Sequence, residues 1–113
     1  PEDARPQYVQ LFGDPDALDY AAAKDVYYEK GAPEDWKVNF VSAYASMHPW
    51  EDFAETANLY LDMQAIATTA IDCGWLSSNT DLRAIPIHDL IRETLSISVA
   101  VSEWNSDMGL SAL

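Results

Sequence analysis

Apolar residues recur at helical spacing along most of the chain. The clearest block begins at Pro49 and ends before Gly74, and its recurring apolar positions are Phe53, Ala54, Ala57, Leu61, Ala65 and Ile66. Steps of three and four residues place such side chains on one face of a helix. Proline suits the first helical turn and glycine commonly follows the last one. The pattern therefore predicts one long helix.

Three other blocks are helix-sized. The first runs from Asp14, a plausible N-cap, to about Lys30, and Gly31 is its stop signal. A brief helix is predicted between Pro33 and about Ala45. The last block runs from Ile87 to about Met108, and the apolar residues predicted to line its buried face are Leu90, Ile91, Leu95, Val99 and Val101.

Two segments complete the predicted organisation. The β-branched run 97–101 leaves a strand as the local alternative inside the last block. The polar run from Ser77 to about Pro86 is predicted to be a loop. The predicted fold class is all-α, with three main helices plus a short helix.

The acidic composition of the chain disfavours two classes of binding partner, nucleic acid and anionic membranes. The 113 residues are enough for one domain at most, and they include 19 Asp and Glu against 6 Lys and Arg, a formal charge of −13. Nucleic acid and anionic membrane surfaces both require clustered basic residues, so we expect neither as a partner. Hydrophobic residues make up 49% of the chain, which favours a folded domain over a disordered acidic tail.

Localisation signals are weak but consistent. Cys73 is the single cysteine, so an intrachain disulfide is impossible, and we expect a reducing, cytoplasmic setting in which this thiol is buried and inert. No apolar run is long enough to span a bilayer, and no signal-peptide pattern opens the chain. Because the first residue is Pro1, we expect a processed chain or a piece of a longer protein.

The most unusual chemistry lies around the start of the long helix. Glu51 and Glu55 are four residues apart, so their carboxylates share one helix face and could bind a cation such as zinc. The simpler interpretation is that acidic residues there complement the helix dipole. His48 and His88 are interpreted as capping or packing residues. Tyr44 is either an ordinary aromatic or a hydrogen-bond donor to an oxyanion.

These residues carry a resemblance. The run from Phe40 to Thr56, FVSAYASMHPWEDFAET, resembles a motif of the bacterial "putative zinc-binding metallopeptidase" family. The segments 11–14 and 19–20 are similar to the part of that family that follows its zinc-binding helix. The segment 100–110, with Glu103, Asn105, Met108 and Gly109, is similar to a later helix. The resemblance covers nearly the whole chain.

The resemblance implies specific roles. Such gluzincin-type enzymes, distantly similar to the catalytic domain of anthrax lethal factor, hold zinc with two histidines of a His-Glu-x-x-His helix and a glutamate from a later helix. Glu51 matches that third zinc ligand, and Glu55 matches the acid that orients a zinc-bound histidine. Tyr44 matches the catalytic phenol that stabilises the oxyanion. The implied substrate of the parent protein is a peptide or a protein.

The chain also departs from the family pattern. It contains no His-Glu-x-x-His and none of the N-terminal zinc-ribbon cysteines, and it has Ala57, Leu59 and Asp62 where the family tends to have a tryptophan and histidines. We therefore expect residues 1–113 to be a single partial domain, the C-terminal lobe of a zincin-like metallopeptidase. Alone, this chain is expected to be inactive and to hold no zinc cofactor.

Two predictions concern partners. A lobe separated from its zinc-binding helix would uncover an apolar face, so self-association into a homo-oligomer is expected. The alternative function is a non-catalytic acidic helical module for protein–protein interaction. Its support is the charge of −13 together with four tryptophans that could form an interface patch, Trp36, Trp50, Trp75 and Trp104.

Overall fold

The computed structural model describes residues 4–75 and 84–110, and these residues form helices, turns and connecting segments without a strand. The helices are α1 (Arg5–Phe12), α2 (Tyr20–Lys30), α3 (Trp36–Asn39), α4 (Pro49–Asp72) and α5 (Ile87–Asp107). Two short 3₁₀ turns, Pro15–Ala17 and Tyr44–Met47, lie between them. The predicted all-α class is confirmed. The predicted loop from Ser77 to Pro86 falls mostly outside the described residues.

The long helix and the last helix follow the sequence pattern closely. α4 begins at Pro49 and ends at Asp72, and Gly74 takes a positive φ of 78° just beyond it. α5 contains the run 97–101, so the strand alternative is wrong. The short helix predicted after Pro33 is present as the four residues of α3.

The N-terminal part differs from the prediction in two ways. α1 was not predicted; it has no side-chain cap and no buried residue. The helix predicted from Asp14 is divided. Asp14 caps only the first 3₁₀ turn, Leu18 is extended, and α2 begins at Tyr20 with Asp19 as a new N-cap whose side chain accepts a hydrogen bond from the Ala21 N–H.

The chain forms two compact units, Pro1–Leu59 and Tyr60–Leu113, and the boundary falls inside α4. In the first unit, Ala45, Met47 and His48 are buried. Aromatic contacts hold α1 to the first half of α4: the Phe53 ring centroid lies 5.5 Å from those of Tyr8 and Phe12. This tertiary contact explains how a helix with weak local signals is stabilised.

In the second unit, small residues of the second half of α4 are buried together with the inner face of α5. Ala67 and Ala70 are almost fully buried, as are Leu90 and Thr94. The predicted buried face of α5 is partly wrong. Leu90 is buried, but the side chains that are more than one-third exposed include Ile91, Leu95 and Val99.

Two further observations concern the predicted burial of Cys73 and the possibility of a membrane-spanning helix. Cys73 is exposed, so the prediction of a buried thiol is wrong, because the residue lies in the turn just after α4 ends. Across residues 4–75 and 84–110, none of the helices combines the length and apolar character needed to cross a bilayer.

Candidate functional site

The candidate site lies in the first unit, where side chains from the starts of α2 and α4 meet. Glu51, in the first turn of α4, is partly buried. The Tyr20 hydroxyl, on the first residue of α2, donates a hydrogen bond of 2.5 Å to Glu51 Oε1. A phenol donating to a carboxylate over so short a distance forms a strong, charge-assisted hydrogen bond. The Glu51 carboxylate is therefore held in one orientation by a residue 31 positions earlier.

His48 brings these two helix starts together. Its Nδ1 accepts a hydrogen bond of 3.1 Å from the Trp50 N–H, and the His48 side chain thereby caps the start of α4. Its Nε2 lies 3.0 Å from the Leu18 carbonyl oxygen, and the two contacts together fit the tautomer that carries its proton on Nε2. The side chain is only 2% exposed. His48 is thus a capping and packing residue, as predicted.

Aromatic rings surround the Tyr20–Glu51 contact. The Tyr20 ring centroid lies 5.1 Å from that of His48 and 5.6 Å from that of Trp50. The His48 and Trp50 rings are 4.9 Å apart. Because the Tyr20 ring packs on two rings from the start of α4, its hydroxyl is directed by contacts that do not depend on Glu51 itself.

Tyr44 lies at the first position of the second 3₁₀ turn. Its ring meets the Tyr27 ring of α2 edge to face, with centroids 5.5 Å apart. Tyr44 also lies close to Tyr20: the hydrogen bond to Glu51, and secondarily the neighbouring Tyr44 hydroxyl, raise the pKa of Tyr20 well above its ordinary value of 10.0. Tyr20 is therefore a neutral donor at physiological pH. The structure brings Glu51 and Tyr44 to the same phenol.

Glu55 is connected to the turn that carries Tyr44. The Ser42 hydroxyl donates a hydrogen bond of 3.1 Å to Glu55 Oε2 and accepts one of 3.1 Å from the Ala45 N–H. Ala45 follows Tyr44 directly and is buried. Ser42 therefore couples the second glutamate of α4 to the backbone beside Tyr44.

Asp52 faces a different environment from its neighbour Glu51. It is 8% exposed, and the Thr56 hydroxyl lies 3.4 Å from its Oδ1. Burial raises the pKa of the Asp52 carboxyl, and the Thr56 contact only partly opposes this rise. The pKa of Tyr8 is raised as well, first by burial and then by the Asp52 charge. Asp52 belongs to the packing of α1 against α4.

The three residues predicted from the sequence thus lie in one unit, and each has a partner there. Sequence reasoning did not single out Tyr20 and Ser42 as site residues. Tyr20 did stand in the similar segment 19–20, which was a usable signal, and Ser42 lies within the run that carries the main motif.

The family resemblance implies a zinc ion, so the described residues can be examined for side chains that could bind one. Within residues 4–75 and 84–110, no three His, Cys, Asp or Glu side chains lie close enough together to hold a metal ion. Glu51 does fit a single ligand position, because its carboxylate is partly buried and held by a neutral donor. Protein zinc sites need three or four protein ligands, so the described residues do not make up such a site by themselves.

Comparisons with known proteins give a consistent picture. The chain is 40% identical over 108 residues to the uncharacterized protein Rv2568c of Mycobacterium tuberculosis, and the match covers 91% of this chain and 31% of that protein. The uncharacterized protein Mb2598c of Mycobacterium bovis matches with the same figures. The chain therefore spans about a third of the length of these curated relatives.

No solved structure is significantly similar to the chain. The family model described as "Putative zinc-binding metallo-peptidase" matches residues 1–113, which is the full sequence. The run FVSAYASMHPWEDFAET, which holds Tyr44, Glu51 and Glu55, lies within this match. The chain belongs to this zinc-binding metallopeptidase family.

Proposed function

We propose that this chain is part of a zinc-dependent metallopeptidase and that Glu51 is its contribution to the zinc site. The observation that carries the proposal is the 2.5 Å hydrogen bond by which Tyr20 holds the Glu51 carboxylate. A carboxylate that served only the helix dipole would need no such partner, because the first-turn N–H groups and solvent stabilise it. Family membership supports the same role.

The other zinc ligands would be those of the family's His-Glu-x-x-His helix. The sequence contains no His-Glu-x-x-His, so the two histidine ligands and the glutamate general base would come from a helix outside these 113 residues. When bound, zinc polarises the scissile carbonyl and activates a water molecule. As an isolated chain, the protein is then expected to have no peptidase activity.

Tyr44 is the proposed oxyanion donor. A phenol can stabilise negative charge that develops on a carbonyl oxygen, provided that its position is fixed before the reaction. One feature of the structure supports this fixed position, namely the edge-to-face contact of the Tyr44 ring with Tyr27. The hydroxyl proton remains on Tyr44 and is shared with the oxyanion as a hydrogen bond.

Glu55 is proposed to orient a zinc-bound histidine. Its Oε2 accepts from Ser42, so the carboxylate is anchored within its own unit one helical turn after Glu51. A carboxylate that accepts the outer N–H of a ligating histidine fixes the ring and increases its basicity. The Ser42 hydroxyl also accepts a hydrogen bond from the Ala45 N–H, which links this acid of α4 to the turn that carries Tyr44.

The test uses the complete natural protein that contains these residues. Its zinc content is measured by elemental mass spectrometry and its hydrolysis of a mixed peptide library is followed, for the wild type and for Glu51→Gln. The variant keeps the shape of the side chain but removes the charge that a metal ligand needs. We expect zinc to bind weakly enough to be lost on purification, and peptide hydrolysis to be lost with it.

The matched control is Glu29→Gln, which removes one negative charge from an exposed residue of α2 in the same unit. Zinc content and activity should equal those of the wild type. If Glu51→Gln retains the zinc content of the Glu29→Gln protein, Glu51 is a helix-capping acid and the proposed function is wrong.

A further inference from the structure

The partner of Glu51 suggests a role of its own. We propose that Tyr20 is a positioning residue for the zinc ligand: its hydroxyl engages Glu51 Oε1 and thereby fixes the orientation of the carboxylate that would bind the metal. This inference rests on the proposed function of Glu51. It concerns a residue 31 positions before the glutamate, on a different helix.

The geometry of the contact favours a positioning role. A carboxylate offers two oxygens to a metal and can switch between binding through one and binding through both. A donor at 2.5 Å from Oε1 competes with the metal for that oxygen. The hydrogen bond therefore fixes the rotation of the Glu51 carboxylate without a metal.

Tyr20 is itself held independently of Glu51. Its ring packs on the His48 and Trp50 rings, with centroids 5.1 and 5.6 Å away. Two hydrogen bonds fix the backbone just before it. The Leu18 carbonyl contacts His48 Nε2, and the Asp19 side chain accepts from the Ala21 N–H as the N-cap of α2. Because these contacts order the phenol in advance, the hydrogen bond to Glu51 costs little additional conformational entropy.

The start of α2 therefore has a function beyond packing. The helix predicted from Asp14 is interrupted at Leu18, and the interruption turns Tyr20 toward α4. A residue that orients a metal ligand in this way typically changes metal affinity by 10–100-fold when it is removed. That range sets the size of the expected effect.

The experiment measures zinc affinity by competition with a chromophoric chelator in the complete protein. Tyr20→Phe removes only the hydroxyl and keeps the ring contacts with His48 and Trp50. We expect zinc to bind about 10–100-fold more weakly. The control is Tyr28→Phe, which removes a hydroxyl from an exposed tyrosine of the same helix and should leave zinc affinity unchanged.

A double-mutant cycle separates positioning from a general effect on folding. Glu51→Ala removes the carboxylate that Tyr20 holds, so Tyr20→Phe should weaken zinc binding in the wild type but not in the Glu51→Ala background. An equal loss in both backgrounds would overturn the positioning role. Circular dichroism of the metal-free proteins verifies that each variant is folded.

The two proposals fail in distinguishable ways. If Glu51→Ala binds zinc like the wild type, the proposed function is wrong and the positioning role falls with it. If Glu51→Ala loses affinity while Tyr20→Phe and Tyr28→Phe both match the wild type, only the positioning role of Tyr20 is overturned.

Discussion

The two units differ in how their polar side chains find partners. Among the described residues of the first unit, four side-chain hydrogen bonds span 13 to 41 residues of sequence, in addition to local ones; the four are Tyr8 to the Pro49 carbonyl, Tyr20 to Glu51, His48 to the Leu18 carbonyl, and Ser42 to Glu55. In the second unit, the hydrogen bonds of Gln64, Thr68, Arg92 and Thr94 connect residues three or four positions apart.

This difference separates two kinds of order. Contacts three or four residues apart form whenever a helix forms, so they do not depend on the tertiary fold. Contacts across 30 residues exist only in the folded unit, because closing such a loop costs entropy that packing must offset. Chemistry that needs fixed geometry is therefore expected in the first unit, where the candidate site lies.

The largest expected difference between the two units concerns the two histidines, His48 in the first unit and His88 in the second. His48→Ala removes two hydrogen bonds and a buried ring from the first unit, and should lower the free energy of unfolding by about 2–4 kcal/mol. His88→Ala, an exposed position in α5, should change it by less than about 0.5 kcal/mol. Urea denaturation of both variants measures the difference. Equal effects would contradict the assignment of His48 as the connection between the two helix starts.

A smaller effect is expected from two tyrosine hydroxyls. Tyr8→Phe removes the 3.0 Å hydrogen bond to the Pro49 carbonyl and should cost about 0.5–1.5 kcal/mol. Tyr60→Phe removes an exposed contact with Gln64 one turn away and should cost less than about 0.5 kcal/mol. Thermal unfolding followed by circular dichroism compares the two. A larger loss for Tyr60→Phe would reverse the proposed contrast between the units.

The smallest effect should be the pH dependence caused by Asp52. Burial raises the pKa of its carboxyl above the ordinary value of 3.8, so the folded protein binds this proton more tightly than the unfolded chain does. The stability that this residue contributes is complete below about pH 3.8 and is lost as the pH rises through the folded-state pKa.

Asp52→Asn should therefore raise the melting temperature at pH 7, and the gain should vanish near pH 3.5, below the unfolded pKa of about 3.8. Asp62→Asn alters an exposed aspartate of the same helix in the second unit and provides the matched control. Melting temperatures across this pH range test the prediction. A gain that is the same at every pH would show that ionisation of Asp52 is not its cause.

Elements with strong local signals were predictable. α4 begins at its proline and ends before its glycine, because proline fixes φ for the first turn and glycine permits the positive φ after the last. α1 was missed because it lacks a side-chain cap and a buried face, and depends on aromatic contacts with Phe53. The interruption at Leu18 was missed because its carbonyl binds His48, a partner 30 residues away.

The same limit applies to the candidate site. The four-residue spacing of Glu51 and Glu55 and the similarity to a known family indicated two glutamates and Tyr44 as candidates. Their actual partners, Tyr20 and Ser42, follow no period in the sequence. Pattern analysis finds residues that repeat along one helix, and it cannot find a hydroxyl on another helix that reaches a carboxylate.

The sequence alone determined the all-α class, both long helices, the shared helix face of the two glutamates and the family. Each of these follows from local backbone preferences or from residue order. Only the tertiary structure decided that Tyr20 holds Glu51, that Ser42 joins Glu55 to the turn bearing Tyr44, and that His48 is a structural connection. The physical reason is that hydrogen bonds across long loops are selected by packing, which no short stretch of sequence encodes.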